Sequence, residues 1–198
     1  MVQMSEFESL FCRTRLWRSV ARRFVVPRVL DGGEVGPQVL EIGCGSGAMA
    51  AEVLAQRPGI DRYVATDVDP AMVRLARREL ASQAGRAEAA EVDGARLPYG
   101  DGSFDTVCSW LMLHHTITWE DVVADAARVL RPGGRLVGYD LPDSPRARLV
   151  HRVTRSRVRM VAPEELAREL VALGFESVEV EPLGVADTYR FSAVRPPG

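Results

Sequence analysis

The sequence predicts an α/β domain whose mostly parallel sheet carries helices on both faces, and three observations predict it. From Val39 onward, strand-like and helix-like segments alternate, the pattern of a parallel sheet with covering helices. The first apolar run ends in an acid and then in glycines at alternate positions, Glu41-Ile42-Gly43-Cys44-Gly45-Ser46-Gly47, which is how a buried strand opens into a turn that cradles a ligand. Near the C-terminus two strand-like segments follow one another without a helix between them, as an antiparallel hairpin at one sheet edge would.

Taken in order, strands are expected at 39–42, 63–66, 89–92, 106–109 and 135–140, with helices near 48–56, 71–83 and 120–130. Each boundary has a physical marker. Pro58-Gly59 and Gly85 interrupt helices, Asp69-Pro70 supplies an N-cap and a proline at the first helical position, and Pro132-Gly133-Gly134 forces a turn. A further helix at 163–173 is stopped by Gly174 and leads to the two edge strands at 177–180 and 190–194. Ahead of the sheet, Phe7, Leu10, Phe11, Trp17, Ala21 and Phe24 recur near helical spacing, while Arg15, Arg18 and Arg22 lie mostly on another side. An amphipathic helix is therefore expected within residues 5–30.

At 198 residues the chain has the size of one domain and can bury a substantial core. A formal net charge of -2 gives no global electrostatic case for nucleic acid or an anionic membrane. Every basic residue is arginine, which reads as codon bias rather than chemistry. Cys12, Cys44 and Cys108 form no CxxC pair, so neither a disulfide framework nor a zinc site is expected. Glu6 and Glu8 precede any apolar run and no apolar stretch is long enough to span a bilayer, so a cytoplasmic protein without a secretory signal is expected.

The glycines leave two cofactors open, because Gly43, Gly45 and Ala48 also satisfy the dinucleotide pattern. An NAD-dependent oxidoreductase is thus one reading. The third alternate glycine, Gly47, and the acid at Glu41 favour another: a pyrophosphate would be repelled by Glu41, whereas a ligand carrying an ammonium would tolerate it. On these residues the chain resembles a class I S-adenosylmethionine-dependent methyltransferase of the small-molecule, UbiE-like type (methyltransferase type 11), with 41–47 as that family's first motif. The resemblance runs from Val39 to about Val194. It implies a Rossmann-like seven-stranded sheet of order 3-2-1-4-5-7-6 with strand 7 antiparallel, and it implies S-adenosyl-L-methionine as cofactor with S-adenosyl-L-homocysteine as product.

Further motifs follow in the order such enzymes have them. Asp67 closes the second strand, where a carboxylate can accept both hydroxyls of a ribose, while Asp69 caps the next helix. Asp67 is otherwise one more turn or cap residue. Asp93-Gly94-Ala95 follows the third strand, where the acid can accept from the exocyclic amine of adenine and the small neighbours leave space for the ring; Leu97-Pro98-Tyr99 comes next, as in similar methyltransferases. The resemblance extends the cofactor-binding set to Glu41, Gly43, Cys44, Gly45 and Gly47 in the turn, to Val68 and Met72 beside Asp67, and to Ser109 and Trp110 at the carboxyl end of strand four. That end lacks the Asn/Asp-Pro-Pro-aromatic motif of amino-directed nucleic-acid methyltransferases. Asp105 reads as structural, and 128–137 supplies the helix, tight turn and strand that recur in small-molecule members.

Methyl transfer from a sulfonium needs alignment first, and a general base only where the acceptor must lose a proton. Of the three histidines, His114, His115 and His151, the resemblance favours His115 as base or substrate-orienting group, with packing of its loop as the other reading. Tyr139 and Asp140 come next; Asp140 either orients a substrate or caps Leu141-Pro142. Arg146, Arg148, Arg152, Arg155, Arg157 and Arg159 crowd the segment at 141–162. If it is helical, Arg148, Arg152, Arg155 and Arg159 form one stripe. Together with the N-terminal helix, which lies outside the family core, this insertion is expected to cover the substrate mouth and to favour a small or amphipathic, anionic acceptor. A solvated helix face is the alternative. A protein that binds the cofactor without turnover is a second rival. A nucleic-acid methyltransferase is a third, weakened because no stacking aromatics are interleaved among the arginines.

Overall fold

The computed structural model describes residues 14–31, 33–145, 147–148, 158–185 and 187–198. Seven strands, β1 (Gln38–Ile42), β2 (Arg62–Asp67), β3 (Ala87–Glu91), β4 (Phe104–Trp110), β5 (Leu130–Asp140), β6 (Glu176–Pro182) and β7 (Tyr189–Val194), form one sheet in the order β3-β2-β1-β4-β5-β7-β6. β7 runs antiparallel to β5 and β6, and the other pairs are parallel. The central strands β1, β2 and β4 are buried nearly throughout, with polar residues such as Thr66, Asp105, Thr106 and Ser109 buried beside the apolar ones.

Two cores lie on the two faces. Helices α2 (Ala48–Gln56) and α3 (Pro70–Glu79), with the N-terminal helix, cover Val39, Tyr63, Ala65 and Cys108. Helices α4 (Trp119–Val129) and α5 (Pro163–Ala172) cover Leu40, Val64, Val107 and Leu136. Because side chains alternate along a strand, Glu41 shares the face of Val39 and points toward the N-terminal helix layer.

The expected amphipathic helix, α1, begins at Arg15–Val20, passes through a π-helical turn at Ala21–Val25 and resumes at Val26–Val29. Phe7, Leu10 and Phe11 lie outside the described residues. Phe24 does not join the buried face: it is 44% exposed, whereas Ala21, Val25 and Val29 are buried. The π turn inserts an extra residue, so the buried stripe continues at Val25 instead of Phe24.

Two other boundaries differ from expectation. α3 ends at Glu79, and only a single 3₁₀ turn at Ala81–Gln83 follows. Pro132-Gly133-Gly134 lies inside β5: the register jumps from Phe104↔Leu130 to Thr106↔Arg135, so these residues bulge out of the ladder rather than precede it. The Gly133 amide bonds the Arg195 carbonyl at 2.8 Å, which keeps the bulge paired. The cap at Asp69 is as expected, its Oδ1 accepting from the Ala71 amide at 2.7 Å with Pro70 beginning the helix. Asp69→Ala is expected to cost about 1 kcal/mol, a drop of roughly 2–4 °C in melting temperature, read by thermal melts.

Candidate cofactor site

The carboxyl ends of β1, β4 and β5 open onto a cavity of about 490 Å³, counting its open mouth. It is lined by Glu41, the turn from Gly43 to Ser46, Trp110, Leu111, Tyr139 and Trp17 of α1. The Trp110 and Tyr139 rings lie 6.0 Å apart between centroids. Leu111 holds a positive φ of 54°, and its amide bonds the Tyr139 carbonyl at 2.9 Å, so a strained residue joins β4 to β5 at the cavity wall. Ligands in open α/β sheets bind at this end of the strands.

The glycines of the turn are glycine for different reasons. A Cβ on Gly43 would lie 2.0 Å from Met112 Cγ, and one on Gly47 would lie 2.9 Å from the Ala76 Cα, where α2 meets α3. A Cβ on Gly45 would meet nothing within 4 Å. All three hold a positive φ, which favours glycine; packing adds a second reason at Gly43 and Gly47, while beside Gly45 the space is open.

The amides of this turn are already engaged. Gly45 donates to Asp67 Oδ2 at 2.8 Å, Cys44 to the Thr66 carbonyl at 2.8 Å and Gly47 to the Cys44 carbonyl at 2.9 Å. Asp67 Oδ1 also accepts from the Asp69 amide at 2.9 Å. Each carboxylate oxygen therefore has a lone pair left for a hydroxyl. Burial pushes the Asp67 carboxyl up from its ordinary value, against the pull of those amides.

Glu41 is 1% exposed, and its Oε2 accepts from the Tyr63 hydroxyl at 2.7 Å. Cys108 Sγ lies 3.4 Å from the same hydroxyl. Burial pushes the Glu41 carboxyl up to about 8, opposed by the Tyr63 bond and reinforced by Asp67. The folded chain thus keeps a proton that the unfolded chain has released above its ordinary value of 4.5. Stability is expected to fall as pH rises from about 5 to about 8 and to level off above, with a flatter profile in Glu41→Gln, read by melting temperature against pH.

The remaining expected cofactor residues are placed around rather than on this cavity. Val68 and Met72 are half-buried beyond the end of β2. Asp93 is exposed after β3, its Oδ1 accepting from the Ala95 amide at 3.1 Å, with Gly94 buried between them. Ser109 is buried on the opposite sheet face, in step with Val107, so strand alternation turns it away from Glu41 while Trp110 faces the cavity.

His115 does not line the cavity. It is 6% exposed in the turn Leu113–His115, its ring 4.1 Å from that of His114. His114 Nδ1 bonds the fully buried Asp140, which also accepts from the Leu141 amide at 2.7 Å. Asp140 therefore caps the end of β5 and anchors this turn, as the second of its two expected readings had it. Asp105 is structural too, accepting from the Gln38 amide at 2.7 Å and pairing with Arg131.

The arginine stripe is described only in part. Arg146, Arg152, Arg155, Arg157 and His151 lie outside the described residues. Arg148 pairs with Asp143 at 2.5 Å, and Arg159 pairs with Glu120 at 2.5 Å and Glu165 at 3.2 Å. Residues 158–160 are not helical, so Arg159 does not continue a helical stripe. Sequence reasoning missed Tyr63 and Cys108 beneath Glu41. A phenol in a buried strand beside a buried acid was the signal available for Tyr63. Cys44 and Cys108 are free thiols. Among the described residues no helix is long and apolar enough to cross a membrane, and no group of metal-ligating side chains occurs.

Residues 39–134 match the family described as Methyltransferase domain. Demethylmenaquinone methyltransferase of Thermus thermophilus is 32% identical over 123 residues, covering 61% of this chain and 56% of that protein. The 27-O-demethylrifamycin SV methyltransferase of Amycolatopsis mediterranei is 33% identical over 162 residues, 74% of this chain and 56% of that protein. The chain thus spans little more than half the length of these curated relatives. A SAM-dependent methyltransferase from Aquifex aeolicus shares the fold, with a TM-score of 0.76 at 18% identity over 97% of this chain and 99% of that one. The matched residues hold the glycine turn, Asp67 and Asp93, and the sheet has the order expected of that resemblance: over residues 39–134 the chain matches the methyltransferase-domain family, on the fold of a class I S-adenosylmethionine-dependent methyltransferase.

Proposed function

We propose that this protein transfers the methyl group of S-adenosylmethionine to a small or amphipathic acceptor that enters beneath α1. The observation that carries the reading is Gly45, whose missing Cβ leaves open space beside the carboxyl end of β1 in a turn whose other glycines are packed against protein. Glu41, with Gly43, Cys44 and Gly45, would hold the amino-acid end of the cofactor. Asp67, with Val68 and Met72 near it, would take the ribose, and Asp93 with Gly94 and Ala95 the adenine. The cofactor supplies a methyl group on an activated sulfonium. This chain's residues then act by alignment and by excluding water, with Trp17, Trp110 and Tyr139 walling the cavity.

The names of the relatives that act on demethylmenaquinone and 27-O-demethylrifamycin SV support a small-molecule acceptor. Among the described residues no basic side chain lines the cavity, so preference for an anionic acceptor would rest on Arg152 and Arg155. Charge reversal of both, with unchanged preference between anionic and neutral acceptors, would sink that part. His115 is taken as a positioning residue: His115→Ala is expected to lower turnover while leaving affinity for S-adenosylhomocysteine within a few-fold.

Calorimetry with S-adenosylhomocysteine and NAD tests the cofactor. Binding of the first and not the second is expected, and binding of NAD alone would overturn the reading. A screen of acceptors with labelled methyl donor then identifies the acceptor class.

A further inference from the structure

We infer that cofactor binding expels a proton from Glu41: the carboxyl is neutral in the protein alone and becomes the carboxylate facing the cofactor's ammonium. The inference rests on the cofactor reading above. The step is a proton transfer only, from the Glu41 carboxyl to solvent, with no other bond made or broken.

The two acids at this site are held differently. Asp67 receives two backbone amides, from Gly45 and Asp69, and is served as a carboxylate by the protein itself. Glu41 receives one hydroxyl, from Tyr63, on Oε2, while its buried Oε1 has no hydrogen-bond partner among the described residues. Yet Glu41 lines the cavity. A buried carboxylate with a single neutral donor is costly, whereas the protonated acid carries no such charge. An ammonium set against Oε1 would provide both the missing donors and the missing positive charge.

Among the described residues no cation takes that role. The titratable groups around Glu41 are Tyr63 and Asp67 on β2, Cys44 in the turn, Cys108 on β4 and Tyr139 on β5, all neutral or acidic. From α1 the cavity receives Trp17, while the neighbouring Arg18 is engaged by Glu79 at 2.6 Å and Glu52 at 3.4 Å. Burial, which pushes the Glu41 carboxyl up to about 8, is consistent with a proton retained at neutral pH. Tyr63, itself in contact with Cys108, is then a positioning residue: its hydroxyl holds Oε2 and leaves Oε1 to the ligand.

The test is titration of the full chain with S-adenosylhomocysteine, whose ammonium is its only cation, in buffers of different ionisation enthalpy at pH 6.5. Release of about one proton per site is expected, with affinity rising about tenfold per pH unit from 6 to 7 and flattening near 8, where Glu41 itself titrates. Glu41→Gln should bind more weakly, release no proton and show a flat profile over that range. Tyr63→Phe removes the one donor to Oε2, so the rise should move to higher pH. Binding without proton release, at an affinity unchanged from pH 6 to 7, would overturn the inference and leave the cofactor reading standing. A folded wild-type chain that binds no S-adenosylhomocysteine at any pH would overturn both. Should Glu41→Gln fail to fold, the wild-type proton count and Tyr63→Phe decide the matter.

Discussion

Gly43→Ala is expected to destabilise the protein by about 2–5 kcal/mol, lowering the melting temperature by roughly 10 °C. Two effects add. The residue holds a φ of +74°, which costs an alanine about 1–2 kcal/mol. Its new Cβ would also lie 2.0 Å from Met112 Cγ and 2.9 Å from Met112 Cβ, in a side chain only 5% exposed. Rotating the thioether relieves the first contact and not the second, because the Met112 Cβ moves only with its backbone. Overpacking of this kind costs about 1–3 kcal/mol. Combining Gly43→Ala with Met112→Ala removes the collision with Cγ and leaves the contact with the residue-112 Cβ and the dihedral cost, so the pair should still be destabilised but by less than the sum of the singles. Thermal and urea melts of the four proteins measure this, and a Gly43→Ala melt within a degree or so of wild type would refute it.

Gly45→Ala, two residues on, is expected to behave in the opposite way. Its φ of +52° again costs about 1–2 kcal/mol, but the new Cβ meets no protein atom within 4 Å, so the fold survives. The methyl group stands where the ligand must approach the backbone. Affinity for S-adenosylhomocysteine should therefore fall by about 100-fold, close to 3 kcal/mol, while the melting temperature of the protein alone drops by only a few degrees. Unchanged affinity in a folded Gly45→Ala would remove the main support for placing the cofactor here. The contrast between neighbouring glycines is the informative result, since a general weakening of the turn would affect both properties in both variants.

Much of this site was legible as sequence because it is local. The turn after β1, the acid at the end of β2 and the Asp69-Pro70 cap are each set by a few consecutive residues, and backbone stereochemistry restricts what glycine, proline and a capping acid can do there. The strand pattern was legible for the same reason, since burial on both faces demands apolar runs. Phe24 was misplaced because one π turn shifts a helix face without altering its composition. Ser109 was grouped with Trp110, although neighbours on a strand face opposite sides and only the sheet's position tells which side holds the ligand. His115 was preferred to His114, and the partnership of His114 with Asp140 joins residues far apart in the chain.

From the sequence alone come the α/β class and the order of the motifs, because each is written in short segments whose spacing the backbone enforces, while the methyl donor is what the resemblance of those motifs to a known family implies. Tertiary structure alone decided that a Cβ on Gly43 or Gly47 would strike protein while one on Gly45 would meet open space, and that Trp17 lines the cavity. It also decided that Glu41 lies buried with Tyr63 as its one donor. Those facts depend on which strands become neighbours, and the free energy of a buried acid is set by the few groups that surround it in space rather than by those beside it in the chain.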